Sequence, residues 1–131
     1  MNTKTTIYYL GNPLVRVDKK PIEAIPRLIK SFSDVLFVHV DPTENINLQN
    51  HILIVMDTVL GINRVTVFNN LQEFSRSPRY SPHDYDLLTD AVLLQKLGKI
   101  KDIIVIGIPA IGNLKEIVDE TKLALNNILH I

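Results

Sequence analysis

Apolar residues in this chain fall into short unbroken runs, separated by stretches in which they recur every three or four positions. That alternation predicts an α/β fold. Thr5 to Leu10 is β-branched and aromatic and stops at Gly11-Asn12-Pro13, which reads as a first buried strand running into a loop. Ile22, Ile25, Ile29 and Phe32 then recur at helical spacing behind Pro21. Proline suits a first turn because an N–H there has no intrahelical partner. Pro26 interrupts the pattern and predicts either a kink or a helix that begins near Ile25.

Val35 to Val40 and Ile52 to Met56 are continuous apolar runs, the signature of parallel strands covered on both faces, and each is followed by an aspartate, Asp41 and Asp57. Val65 to Phe68 is a fourth strand. Gly61 and Asn63-Arg64 supply a turn before it, compatible with a hairpin to the preceding strand and an antiparallel edge. Leu71 to Pro82, rich in serine and proline, reads as the one long loop. Asp84 or Asp86 caps a helix with Leu87, Ala91 and Leu94 on its apolar face and Gly98 as its stop. Ile103 to Ile106 is the last strand. Leu114, Ile117, Val118, Thr121, Leu125 and Ile128 define a final helix capped by Asn113. The order predicts a three-layer α/β/α sandwich with a mostly parallel central sheet and an antiparallel edge, as a single domain over residues 1–131. In such sheets ligands bind at the carboxyl ends of the strands, near a switch point.

Composition narrows the chemistry. Fourteen Lys and Arg balance 14 Asp and Glu, so no global field draws the chain to nucleic acid or anionic lipid, and neither is expected as a partner. The absence of cysteine excludes disulfides, a thiolate nucleophile and cysteine-held metals, and points to a reducing compartment. The first residues lack the features of a signal peptide, and the longest apolar runs are too short to cross a bilayer. The expectation is a cytoplasmic protein with no membrane insertion.

Gly11 is the only glycine in GNPLVRVDKKP, so neither a dinucleotide fingerprint nor a Walker loop is present. No G-x-S-x-G elbow occurs, and Ser81 beside His83 reads as loop polarity. A metal site is the stronger candidate. Asp18, Asp57 and His83 lie in three separate predicted strand-end loops, and two carboxylates with one imidazole suit a divalent first-row ion such as nickel, zinc, iron or manganese. His39, His51 and His130 read as structural. Lys19-Lys20 and Arg76 to Arg79 read as solvated charges able to contact an acidic peptide or its terminal carboxylate.

Four segments in order resemble the hydrogenase maturation endopeptidases: LGNPLVRVD, ILIVMDTVLG, SPHDYDLL, and the pair L-x-K-L-G with VIGIPA. That family trims a C-terminal extension from the large subunit of nickel–iron hydrogenases once nickel is in place. The resemblance implies Asp18, Asp57 and His83 as ligands of a nickel that the precursor itself carries, with Asp18 and Asp57 also catalytic. Asp41 is a second-tier acid–base or orienting group, and Asn12, Lys19 and Lys20 would face the substrate. The implied activity is a metal-dependent, aspartic-type endopeptidase acting on the hydrogenase large-subunit precursor. This chain departs from the family in having Val17 in place of the first acid, Lys19-Lys20-Pro21 in place of a G-x-G, and GIPA in place of G-I-Q-P. Those departures keep a noncatalytic maturation chaperone or binding module on the same fold as the alternative, with a flavodoxin-like domain for a small anionic ligand behind it.

Overall fold

In the computed structural model, residues 5–10, 19–39, 52–70, 96 and 101–130 are described. They form β1 (Thr5–Tyr9), α1 (Lys20–Ser31), β2 (Val35–His39), β3 (Ile52–Val59), β4 (Thr66–Phe68), β5 (Asp102–Pro109) and α2 (Leu114–Leu129). The strands make one five-stranded sheet in the order β2-β1-β3-β5-β4. The β1–β2, β1–β3 and β3–β5 pairs are parallel, and β4 runs antiparallel to β5. The fold is α/β with a mostly parallel sheet and an antiparallel edge.

That edge is not the hairpin the Gly61–Arg64 turn predicted. β4 pairs with β5 (Thr66 with Gly107, Phe68 with Val105), and β5 lies between β3 and β4. β3 is instead flanked by β1 and β5. Its run of seven buried residues after Ile52 needs strand neighbours on both sides to satisfy its main chain, which a hairpin with a three-residue strand cannot supply.

Register sorts the side chains onto two faces, because residues side by side on neighbouring strands project to the same side. Ile7, Ile54, Met56, Ile106 and Ile108 share one face and form a single cluster with Ala24, Ile25, Leu28 and Phe32 of the α1 region and Ile117, Val118 and Leu125 of α2. Both described helices therefore cover this side. Leu10, Leu53, Val55, Val59, Ile103 and Val105 project to the other face and are at most 1% exposed. Burial on both faces is what a three-layer arrangement requires. The helix anticipated near residues 84–98 and the long loop at 71–82 lie outside the described residues.

α1 keeps both prolines: Pro21 is in its first turn, and Pro26 lies inside without ending it. The helix starts at Lys20, not near Ile25. Pro26 is on the exposed side, where the carbonyl it leaves unpaired can turn to water. The buried stripe is Pro21, Ala24, Ile25 and Leu28, so Ile29 is 53% exposed, contrary to the expected face. α2 follows the predicted stripe. Asn113 accepts the Glu116 N–H at 3.2 Å, and His130 closes the helix in a left-handed conformation with φ 59°.

β2 is an edge strand and not the doubly covered strand its run of apolar residues suggested. Leu36 is 50% exposed, and the last residue of that run, Val40, falls outside the described residues. β3 and β5 each extend beyond their predicted ends, to Val59 and Pro109.

Candidate functional site

The carboxyl ends of the parallel strands offer the most distinctive chemistry among the described residues. From β1 the chain passes through α1 to β2 on one side, and later strands add on the other, so the switch point falls between β1 and β3. Asp57 is the sixth residue of β3 and lies at that point, inside the strand and not in a loop after it. Its neighbours across the row are Gly107 on β5 and, by extension of the Tyr8–Val55 register, Leu10 beyond β1.

Asp57 is 1% exposed, in a row otherwise floored by apolar groups. A buried carboxylate needs strong hydrogen bonds to remain. One oxygen, Oδ1, accepts the N–H of Thr58 at 2.8 Å. The local geometry explains that bond. Leu10 donates to the Met56 carbonyl at 2.9 Å, so Met56 faces β1, and by alternation the Thr58 N–H faces the same way. β1 has ended by then, and the side chain of Asp57 takes the proton that a continuing strand would have received.

Gly107 is glycine because of packing. A Cβ there would lie 2.9 Å from Phe68 Cε2, 3.0 Å from Val59 Cγ2 and 3.2 Å from the Thr66 carbonyl. The Gly within VIGIPA thus lets β4 and the Phe68 ring close over β5 beside Asp57. Thr58, the neighbour of Asp57, projects to the helix-covered face. It is 0% exposed, and its hydroxyl finds no hydrogen-bond partner among the described residues.

Of the residues assigned to the site from sequence, Asp57, Lys19 and Lys20 are described; Asn12, Asp18, Asp41 and His83 lie outside the described residues, as does His51. Lys19 is the residue preceding α1, with no side-chain cap, and Lys20 opens the helix; both are partly exposed. They follow the β1–α1 connection, on the carboxyl side of β1. Among the described residues no group of three or more His, Asp or Glu gathers in metal-binding proximity. The buried carboxylate of Asp57 is the kind of hard oxygen donor a divalent ion takes, so the one described member of the proposed ligand set fits a metal in its chemistry.

His39 is exposed on the edge strand, its ring 5.0 Å from that of Tyr9. His130 caps α2 at the opposite pole, beside a groove of about 410 Å³ floored by Val67, Ile104, Ala124 and Ile128. Its described lining, which also includes Asn69 and Asn127, holds no acidic group and is remote from the carboxyl ends. Glu120 of α2 was not singled out from sequence, yet it reaches the β3–β4 connection: Oε1 accepts the Val65 N–H at 3.0 Å, and Oε2 lies 3.9 Å from Arg64 Nε. Only its place three residues after the apolar Ile117 hinted at an inward-leaning side chain.

No helix among the described residues is long and apolar enough to cross a membrane. No family model matches this sequence, and no curated protein matches it. Among solved structures, the chain is similar to an uncharacterized protein from Wolinella succinogenes, with a TM-score of 0.54 and 19% identity, covering 97% of this chain and 95% of the other. At that identity the likeness establishes a shared fold over nearly the whole length of both chains.

Proposed function

We propose that this chain is a processing endopeptidase that removes the C-terminal extension of a nickel-loaded hydrogenase large-subunit precursor in the cytoplasm. The observation that carries the reading is the buried carboxylate of Asp57 at the switch point between β1 and β3. It is supported by the order of the LGNPLVRVD, ILIVMDTVLG and SPHDYDLL segments. In this reading Asp18, Asp57 and His83 would hold the nickel that arrives with the precursor, which would supply Lewis acidity there, and Asp18 and Asp57 would also be the catalytic carboxylates. The Thr58 N–H, donating to Oδ1, holds the Asp57 side chain in a fixed orientation. Asp41 orients water or substrate. Asn12, Lys19 and Lys20 contact the peptide, the lysines favouring an acidic or carboxylate-terminated segment.

Calorimetric titration with nickel tests this, using the wild type beside Asp18→Ala, Asp57→Ala and His83→Ala variants checked for folding by circular dichroism. Saturable binding abolished by each substitution is the expected result, followed by cleavage of a nickel-loaded precursor. Binding with no cleavage would leave a noncatalytic maturation chaperone. No binding, or binding indifferent to all three substitutions, would remove the metal site.

A further inference from the structure

We propose that Glu120 is a positioning residue for the carboxyl-end site: by accepting the Val65 N–H it anchors the β3–β4 connection and thereby fixes the end of β3 that carries Asp57. This rests on the reading of Asp57 as the site's carboxylate.

Three features of the topology make the end of β3 depend on that anchor. First, β3 loses its described neighbour on one side after Met56, because β1 ends at Tyr9 and the last main-chain bond between them among the described residues is Leu10 N–H to the Met56 carbonyl. Asp57, Thr58 and Val59 are then held laterally by β5 alone among the described strands. Second, β5 lies between β3 and β4, so residues Leu60 to Val65 must cross the carboxyl end of β5, a span of two strand spacings or about 10 Å. That crossing begins three residues beyond Asp57. Third, Pro109 ends β5 and has no N–H. By alternation from the Gly107–Thr66 pair, Pro109 faces β4, so the β4–β5 ladder cannot continue toward Arg64. The crossing is therefore not secured by strand pairing. Among the described residues it is held by the left-handed turn at Gly61 (φ 90°), by the local bond from Thr66 Oγ1 to the Arg64 carbonyl, and by Glu120 reaching across 55 positions of sequence.

The acceptor and not the charge carries the effect. The Arg64–Glu120 ion pair is long at 3.9 Å and Arg64 is 76% exposed, whereas the Val65 N–H bond is short and partly buried. Glu120→Gln should then preserve the anchor and Glu120→Ala should remove it.

Amide hydrogen exchange on the full chain, read by NMR for wild type, Glu120→Ala and Glu120→Gln, tests this directly. The Thr58 N–H, which is bonded to Asp57, should exchange about tenfold faster in Glu120→Ala, while mid-sheet amides such as Val55 and Val105 keep their rates and Glu120→Gln behaves as wild type. An unchanged Thr58 rate, or equal acceleration of every amide, would overturn the proposal. A parallel nickel titration separates it from the functional reading. If wild type binds through Asp57, Glu120→Ala should bind about tenfold more weakly and Glu120→Gln normally; equal binding by all three would overturn the positioning role. If wild type binds no nickel, the functional reading fails, and the exchange rates alone decide whether Glu120 orders the end of β3.

Discussion

Replacing Thr58 by valine should stabilise the protein. The hydroxyl is fully buried on the face covered by α1 and α2, beside Ile108 in the register, and has no partner among the described residues. A hydroxyl moved from water to such a place without a hydrogen bond costs about 1–3 kcal/mol on mutational scales. Valine has nearly the same shape, is also β-branched and suits a strand equally well, so packing and propensity change little. It also keeps the main-chain N–H that holds Asp57 Oδ1. The gain should be about 1–2 kcal/mol, or roughly a 3–7 °C rise in Tm for a chain of this length. Urea unfolding followed by circular dichroism measures it: the midpoint should rise by about 1 M with an unchanged slope. Thr58→Ser is the control, since it keeps the hydroxyl and loses a methyl, and should be less stable by about 1 kcal/mol. A valine variant no more stable than wild type would show that the hydroxyl is satisfied, by a buried water or another group, and would refute the reasoning.

Two further outcomes follow from the same region. Gly107→Ala should destabilise by about 1–3 kcal/mol, because the new methyl meets Phe68, Val59 and the Thr66 carbonyl at 2.9–3.2 Å; a loss well below this in urea unfolding would mean that β4 yields easily. Burial raises the pKa of the Tyr8 phenol above its ordinary value, so the folded state favours the neutral form. The stability tied to that preference is complete below the unfolded pKa near 10 and is lost as pH rises through the folded value. Tyr8→Phe should therefore lose stability less steeply than wild type above pH 10, and parallel losses would contradict the burial effect.

The elements visible in the sequence were those whose environment is uniform along their length. α2 is one: its stripe and its Asn113 cap both obey local rules. β3 and β5 were visible as strands, but their carboxyl ends were not. Asp57 reads as a strand terminator because aspartate usually is one, and only the loss of the β1 neighbour at Leu10 explains how a carboxylate continues the strand by bonding the next N–H. The placement of β4 was hidden for a different reason. A turn-forming Gly61–Arg64 stretch is equally compatible with a hairpin and with a crossing over β5, and the choice is made by pairing partners more than 40 positions apart, Thr66 with Gly107. Pro26 misled because proline's cost depends on which side of the helix faces water, which periodicity alone did not resolve.

What joins these observations is where the sheet gives up stability. Between Leu53 and Val59 the residues on the Asp57 face are otherwise apolar and essentially inaccessible, and a valine at position 57 would match its surroundings. The chain instead carries a carboxylate there and, next to it, a threonine whose hydroxyl is buried without a described partner. Both lie past the point where β1 stops supporting β3. A sheet selected for stability alone would shorten β3 at Met56 or pair it further. Extending it with a polar couple, and tying the exit of the strand to α2 through Glu120, keeps a costly group in a defined orientation at the switch point of the sheet. Local rules broken together at one strand end are what a functional site leaves in an otherwise consistent fold, which is why Asp57, rather than the groove beside His130, is the place to test first.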